Sequence, residues 1–458
     1  MNNITVKNIV EATGGILLCG DENTVIKNIA LDSRQMRGDD IFVPIVGEKT
    51  DGHLYIESAF ENGAVATFTS EHMSADDSHP WIHVGNTVAA LQMLGVYLRS
   101  RLNMPFVAVT GSVGKTTTRE IIATALGAGK KVTKTDGNAN SQVGVPVTLS
   151  LLDESADVAV LELGISLPGE MQKLARLAKP NIAVVTNIGV SHIEFLKTKE
   201  NIMAEKLHIT DGFGPENTLI INNDDALLAP LKNKKSYKVI SYGLGEGADF
   251  RAVDIKEDES GVSFDLVTNA DFGMKKIPCK INTMGIHNAL NALAALAVSF
   301  VSGVNLKDAA AALASFKPLG RRLETIPANG FTIIDDTYNA SPDSMIAALR
   351  VLSNANCAGK KIAVLADILE VGEHSAKYHS EIGEVASTLK IDRVFTIGKS
   401  AKHIAEKTAM AGINSNSFMT NEEALAGILP EIGEGDVVLI KGSNAMHLEE
   451  IINALKEI

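Results

Sequence analysis

The sequence predicts an α/β fold in three domains: a small α/β N-terminal domain, a central parallel sheet with an antiparallel insertion, and a C-terminal Rossmann-like α/β domain. Three observations predict it. From Pro105 onward, runs that are apolar throughout (VAVLELG, 158–164; IAVVTNIG, 182–189; TLIINND, 218–224) alternate with helical stretches. Such strands belong to a parallel sheet covered on both faces. A glycine-rich turn, 111–114, joins an earlier such strand, PFVAVTG (105–111), to a helix, and a second strand–helix series begins after SFKPLGRR (315–322). The expected domains are 1–100, 101–315 and 316–458.

In the first domain, IVEATGG (9–15) reads as a helix stopped by glycines. DIFVPIVG (40–47) reads as a strand, YIESAFENGA (55–64) as a helix, and 87–101 as a helix leading into the next domain. In the second, PFVAVTG is a strand and KTTTREIIATALGAG a helix, while FRAVDI, VSFDLV and KKIPCKI within 246–284 alternate as short antiparallel strands. GIHNALNALAALAVSF (285–300) is a helix. In the third, FTIIDDTYN (331–339), KIAVLAD (361–367), RVFTIG (393–398) and DVVLIKGS (436–443) are strands separated by helices.

Composition narrows the function. Of 458 residues 45% are hydrophobic and 21% charged, with 38 Gly and 13 Pro, which excludes disordered and collagen-like chains. A net charge of −13 disfavours non-specific nucleic-acid binding, which needs a broad cationic surface. Cys19, Cys279 and Cys357 are far apart and form no metal-type spacing, so reduced thiols are expected. The N-terminus lacks a basic region followed by an apolar one, and no apolar run approaches the roughly 18 residues that span a bilayer. A soluble cytoplasmic protein, without stable membrane insertion, is expected.

The strongest local signal is Thr110-Gly111-Ser112-Val113-Gly114-Lys115-Thr116-Thr117, between a strand and a helix. Glycines let successive N–H groups turn toward phosphate oxygens, and the helix N-terminus adds its positive end. Lys115 can reach the β- and γ-phosphates and the Thr116 hydroxyl can hold Mg²⁺. Val109 stands where the longer phosphate-loop motif has its first glycine. The central domain therefore reads as a P-loop ATPase-type sheet binding a nucleoside triphosphate.

Downstream, Glu162 and His192 follow strands at the carboxyl edge, where α/β sheets bind ligands. A carboxylate there suits Mg²⁺, although a solvated strand end or a structural histidine would look the same. Lys206 in NIMAEKLHI reads locally as a solvated helix lysine. Asp335 and Asp336 end a strand, as either a turn pair or a ligand edge.

Taken together, these segments resemble the Mur ligase family, ATP-dependent amide-forming enzymes of peptidoglycan assembly. TGSVGKTTT is similar to the family's shortened phosphate loop. DSRQMRGDDIFVPIVGEKTDGH (32–53), NANSQVGVPVTL (138–149), ELGISLPGE (162–170), NIGVSHIE (187–194), GIHNALNA (285–292) and DDTYNASPDSM (335–345) resemble its segments in order. Within the family the likeness is greatest to members that join D-alanyl-D-alanine to UDP-N-acetylmuramoyl-tripeptide, with DDTYNASPDSM the most discriminating piece.

The resemblance implies ATP and Mg²⁺ as cofactors and those two substrates as partners, with the chain acting as a monomer. It implies nucleotide contacts from Gly111 to Thr117, Asn288, Asn291, Arg321 and Asp336. Substrate contacts are implied at Ser33, Arg34, Asn138, Asn140, Tyr338 and Asn339. Thr116, Glu162, His192 and a carbamylated Lys206 are the implied metal ligands; Lys115, Lys206, His192 and Arg321 are the implied catalytic groups. The sequence departs from the family at Ser141 (usually Asn), Ala366 (Gly) and Asn444 (commonly Arg). A different Mur step, a folylpolyglutamate-type ligase, and a P-loop switch without ligation are the alternatives.

Overall fold

The computed structural model describes residues 4–47, 49–75, 78–232, 236–258 and 260–457. Glu48, within the 32–53 segment, lies outside the described residues. Three large sheets follow one another along the chain, and a two-stranded one pairs Ile4–Thr5 with Val25–Ile26.

The first has five strands, in the order Ile16–Cys19, Trp81–His83, Ala64–Thr69, Asp40–Phe42, Asn28–Ala30. All neighbours are parallel except the first pair. The strand expected over 40–47 stops at Phe42, because the chain bends at Pro44, whose carbonyl accepts the Thr87 hydroxyl. The first helix runs Val6–Thr13 and ends on Gly14 in the left-handed conformation.

Nine strands form the central sheet. Phe106–Thr110 lies in its interior, flanked in parallel by Val158–Glu162 and Ile182–Val185. Phe250–Asp258, Gly261–Thr268 and Lys276–Ile281 pair antiparallel among themselves. They continue the same sheet through Lys238–Gly243, a strand the sequence reading missed, so the insertion is an extension and not a separate layer. The helix His287–Val301 covers one face, with residues 292–298 all fully buried.

The third sheet has six strands, with Val437–Lys441 between Thr332–Asp336 and Lys361–Ala366, all parallel. Glu324–Pro327 and Asn414–Phe418, also missed, form its edges. Their alternating exposure and polar NSNSF composition give no apolar run to detect.

One apolar core joins the first and central domains. Leu91, Leu94 and Leu98 of the helix Thr87–Arg101 belong to the same cluster as Leu149, Leu174 and Leu177. Two further clusters lie on either face of the third sheet. Among the described residues, no helix is long and apolar enough to cross a membrane. All three cysteines are free.

Candidate active site

Parallel register assembles the site. Glu162 stands opposite Val109 on one side of the phosphate-loop strand, and Val185 stands opposite Thr110 on the other. Glu162 and the 186–192 loop therefore flank the turn. Val109 is a fully buried strand residue paired with Glu162 and Val184, so the turn begins only after Thr110. Gly111 carries the tight turn: its φ is 150°, and a Cβ would lie 1.8 Å from Thr186 Oγ1. Gly114 (φ 83°) precedes the helix Lys115–Leu126 without a side-chain cap, which leaves the first-turn N–H groups for a ligand.

The loop is propped from below. Val113 N–H donates to Asn187 Oδ1 at 3.0 Å, Thr186 Oγ1 donates to the Val113 carbonyl at 2.6 Å, and Gly189 N–H donates to Ser112 Oγ at 2.9 Å. Lys115 Nζ and Lys206 Nζ each donate to the Gly111 carbonyl at 3.0 Å. Burial lowers both lysines from the ordinary amine range. Lys206, 1% exposed, falls well below it, first through desolvation and then through the neighbouring Lys115 charge. A neutral buried amine is the form that can take up CO₂.

A cleft of about 700 Å³ opens between the central and third sheets. Residues 112–117, Asn138, Asn140, Glu162, His192, Asn288, Asn291, Asp336, Tyr338 and Asn339 line it. Asn140 Nδ2 donates to Glu162 Oε1 at 2.6 Å. Asn291 accepts the Thr118 hydroxyl and donates to Asn288 Oδ1, which fixes both amides against the loop helix. His192 has a left-handed backbone (φ 63°). Its buried Nδ1 makes no aligned hydrogen bond, although the Glu370 carboxylate lies 2.7 Å away.

These donors fit a divalent ion. Thr116 and Glu162 offer hard oxygens, and His192 offers an imidazole nitrogen now facing the Glu370 carboxylate. Lys206 lies beneath the loop, outside the cleft lining, with its amine turned to Gly111.

Two placements differ from expectation. Arg321 does not line the cleft. Its backbone is left-handed (φ 63°), and its guanidinium is taken up by Thr337 (3.0 Å) and Glu449 (3.1 Å). Arg322 turns inward instead: its Nη2 donates to Thr116 Oγ1 at 3.0 Å and its guanidinium lies 3.8 Å over the Tyr338 ring. The doublet GRR holds no local signal separating the two; Leu323, which follows them, packs into the third-domain core. Ser33 and Arg34 lie in the first domain, outside the cleft lining, with Arg34 exposed and paired with Asp32 at 2.8 Å.

Other residues were missed. Lys441, 2% exposed, ends the central strand of the third sheet and pairs with Asp336 at 2.6 Å. The strand-end argument applied to Glu162 would have found it. Glu370 sits in the loop after Lys361–Ala366 and has no sequence signal of its own. His287 lines the cleft near Asn288, and desolvation pushes its imidazole down to about 4, so it is neutral at physiological pH.

The fold and cleft place the chain among known proteins. The Mur ligase middle domain family matches residues 109–299, the Mur ligase glutamate ligase domain 321–444, and the Mur ligase family catalytic domain 25–95. The UDP-N-acetylmuramoyl-tripeptide–D-alanyl-D-alanine ligase of Bacillus subtilis (strain 168) is 38% identical over 460 residues, 99% of this chain and 98% of that one. Its Escherichia coli (strain K12) counterpart is 30% identical over 473 residues, covering 100% and 99%. A crystal structure of MurF from Acinetobacter baumannii superposes with a TM-score of 0.89 at 30% identity, covering 99% of both chains. MurF ligase from Thermotoga maritima in complex with ADP gives 0.81 at 28%, covering 95% of this chain and 99% of that one. The chain belongs to the Mur ligase family.

Proposed function

We propose that the chain is an ATP-dependent acid–D-amino-acid ligase that adds D-alanyl-D-alanine to UDP-N-acetylmuramoyl-tripeptide, acting as a single chain in the cytoplasmic stage of peptidoglycan synthesis. The observation that carries this reading is the single cleft where the phosphate loop and Glu162 of one domain meet Arg322, Asp336 and Lys441 of another. The full-length likeness to the Bacillus subtilis ligase supports the substrate assignment, and the ADP complex of the Thermotoga maritima neighbour supports the nucleotide.

The tripeptide's terminal carboxylate attacks the γ-phosphorus of ATP, the bond to the β,γ-bridging oxygen breaks, and ADP leaves behind an acyl phosphate. The dipeptide's amine then attacks the acyl carbon. The amide forms, the amine loses its proton, and inorganic phosphate departs. The first step brings two anions together, so charge neutralisation carries most of the catalysis.

Lys115, Arg322 and the uncapped N–H groups of 114–117 cancel phosphate charge. Thr116 and Glu162 would hold one Mg²⁺, and His192 with a carbamylated Lys206 a second, supplying further neutralisation of the phosphoryl and acyl oxygens. Asn288 and Asn291 face the adenine. Ser33 and Arg34 hold the UDP end, and Asn138 and Asn140 the muramoyl peptide. Asp336, Tyr338 and Asn339 form the third domain's edge. Arg322 takes the phosphate role first expected of Arg321.

A coupled phosphate-release assay tests the assignment. Release should require ATP, D-alanyl-D-alanine and a UDP-muramoyl-tripeptide together, the tripeptide ending in L-lysine or meso-diaminopimelate. Release with a folate and glutamate in their place, or ATP binding without any amide product, would overturn it.

A further inference from the structure

One wall of the cleft is backed by a chain of four charged side chains that the mechanism above does not use in full. Arg119 and Glu120 lie on the phosphate-loop helix, just past Lys115 to Thr117. Arg119 is 1% exposed, Glu162 2% and Glu120 9%, so all three are withdrawn from solvent. Arg119 Nε and Nη2 both donate to Glu120 Oε1, at 3.0 and 2.6 Å. Its Nη1 donates to the Gly137 carbonyl at 2.9 Å and, more weakly, to Glu162 Oε2 at 3.3 Å. Lys134 closes the chain by donating to Glu120 Oε2. The other oxygen of Glu162 accepts Asn140 Nδ2 at 2.6 Å.

The order of these distances matters. A buried arginine facing Glu162 alone would cancel the carboxylate and leave it little attraction for a cation. Here the two shorter bonds go to Glu120, and Lys134 balances Glu120 in turn. Glu162 receives one long contact, enough to fix its rotamer without consuming its charge. The contact to Gly137 also ties the guanidinium to the 137–140 segment, which carries Asn138 and Asn140 into the cleft.

We infer that Arg119 and Glu120 form a positioning pair: Arg119 aims the Glu162 carboxylate into the cleft, and Glu120 diverts enough of the guanidinium for Glu162 to keep its affinity for a divalent ion. Through Gly137 the same guanidinium sets the segment that receives the acyl substrate. The inference rests on Glu162 being a divalent-ion ligand. Partners that orient metal ligands typically change affinity about 10–100-fold when altered.

The test is Mn²⁺ binding to the full chain with ADP, followed by electron paramagnetic resonance, alongside steady-state kinetics. In Glu120→Gln, Arg119 swings fully onto Glu162 and the Mn²⁺ Kd weakens about tenfold. In Arg119→Lys, one ammonium cannot span Glu120, Gly137 and Glu162. The Mn²⁺ Kd weakens similarly and KM for the muramoyl nucleotide rises, while KM for the dipeptide is unchanged. Thermal melts identify the folded variants, and either one suffices. Glu162→Gln is the control. If it weakens Mn²⁺ while the folded Arg119 and Glu120 variants bind as wild type, the positioning inference is overturned and the ligand reading stands. If Glu162→Gln itself binds Mn²⁺ normally, the ligand reading falls and the inference with it.

Discussion

At the scale of single residues, the site is governed by buried positive charge. Lys115 is desolvated and held on the Gly111 carbonyl, and its proposed role is to meet phosphate, not to pack the core. Lys115→Ala should cut kcat/KM at least about a hundredfold, as loss of one transition-state donor does, with an unchanged melting curve. Near-wild-type turnover would refute its role. Arg322→Ala should lose comparable activity, while Arg321→Ala, whose guanidinium serves Thr337 and Glu449, should retain most of it; the reverse ranking in the same assay would restore Arg321.

Lys206 links charge to stability. Its folded pKa is depressed, so between the folded and the ordinary lysine pKa the unfolded chain binds more protons than the folded chain does. Folding stability contributed by this residue therefore rises with pH up to that range. In CO₂-free buffer, Lys206→Met should melt above wild type at pH 7, and the gap should narrow toward pH 10. A gap that widens would contradict the neutral buried amine. Lys206→Ala should lose ligation and regain part of it with added short carboxylates; full activity without them would exclude the carbamate.

At the scale of elements, the turn at Gly111 is the tightest constraint. Gly111→Ala places a methyl group against Thr186 at a left-handed φ, costing about 1–3 kcal/mol of strain and displacing the loop that holds phosphate. A melting curve and nucleotide titration should both fall; normal ATP affinity would show that the turn is not needed.

Elements also explain what could be read in advance. The buried parallel strands around Phe106–Thr110, Val158–Glu162 and Ile182–Val185 are uniformly apolar, so they were legible, and Glu162 and His192 followed from their strand ends. The edge strand Asn414–Phe418 was not, because one polar face leaves no apolar run. Arg321 and Arg322 differ in their tertiary partners, Thr337 and Glu449 for one and Thr116 and Tyr338 for the other, which the doublet itself does not carry. Glu370 gains meaning only from His192, far along the chain, and Arg119 from Glu162 and Gly137 beside its neighbour Glu120.

At the scale of the whole molecule, the joints differ in kind. The first and central domains share a continuous apolar core, and Gly95 of the connecting helix packs so closely that a Cβ would meet Leu177 and Pro146 at 3.1 Å. Beside the packing of Met284 and Tyr378 across the boundary, the third domain meets the central one through polar contacts: Arg322 to Thr116, His192 to Glu370, and Asn354 to Glu257. Polar contacts across a cleft exchange readily with ligand groups, so motion at residues 315–322 is expected to open and close it. Small-angle scattering should give a smaller radius of gyration with an ATP analogue and both substrates than without; superimposable curves would argue against closure.

The most direct measurement is a crystal of the full chain soaked with a non-hydrolysable ATP analogue and Mg²⁺. The account predicts the γ-phosphate against the N–H groups of 114–117 and Lys115, with Arg322 in contact and a divalent ion on Thr116 and Glu162. A triphosphate bound away from that loop, or no ion beside Glu162, would contradict it.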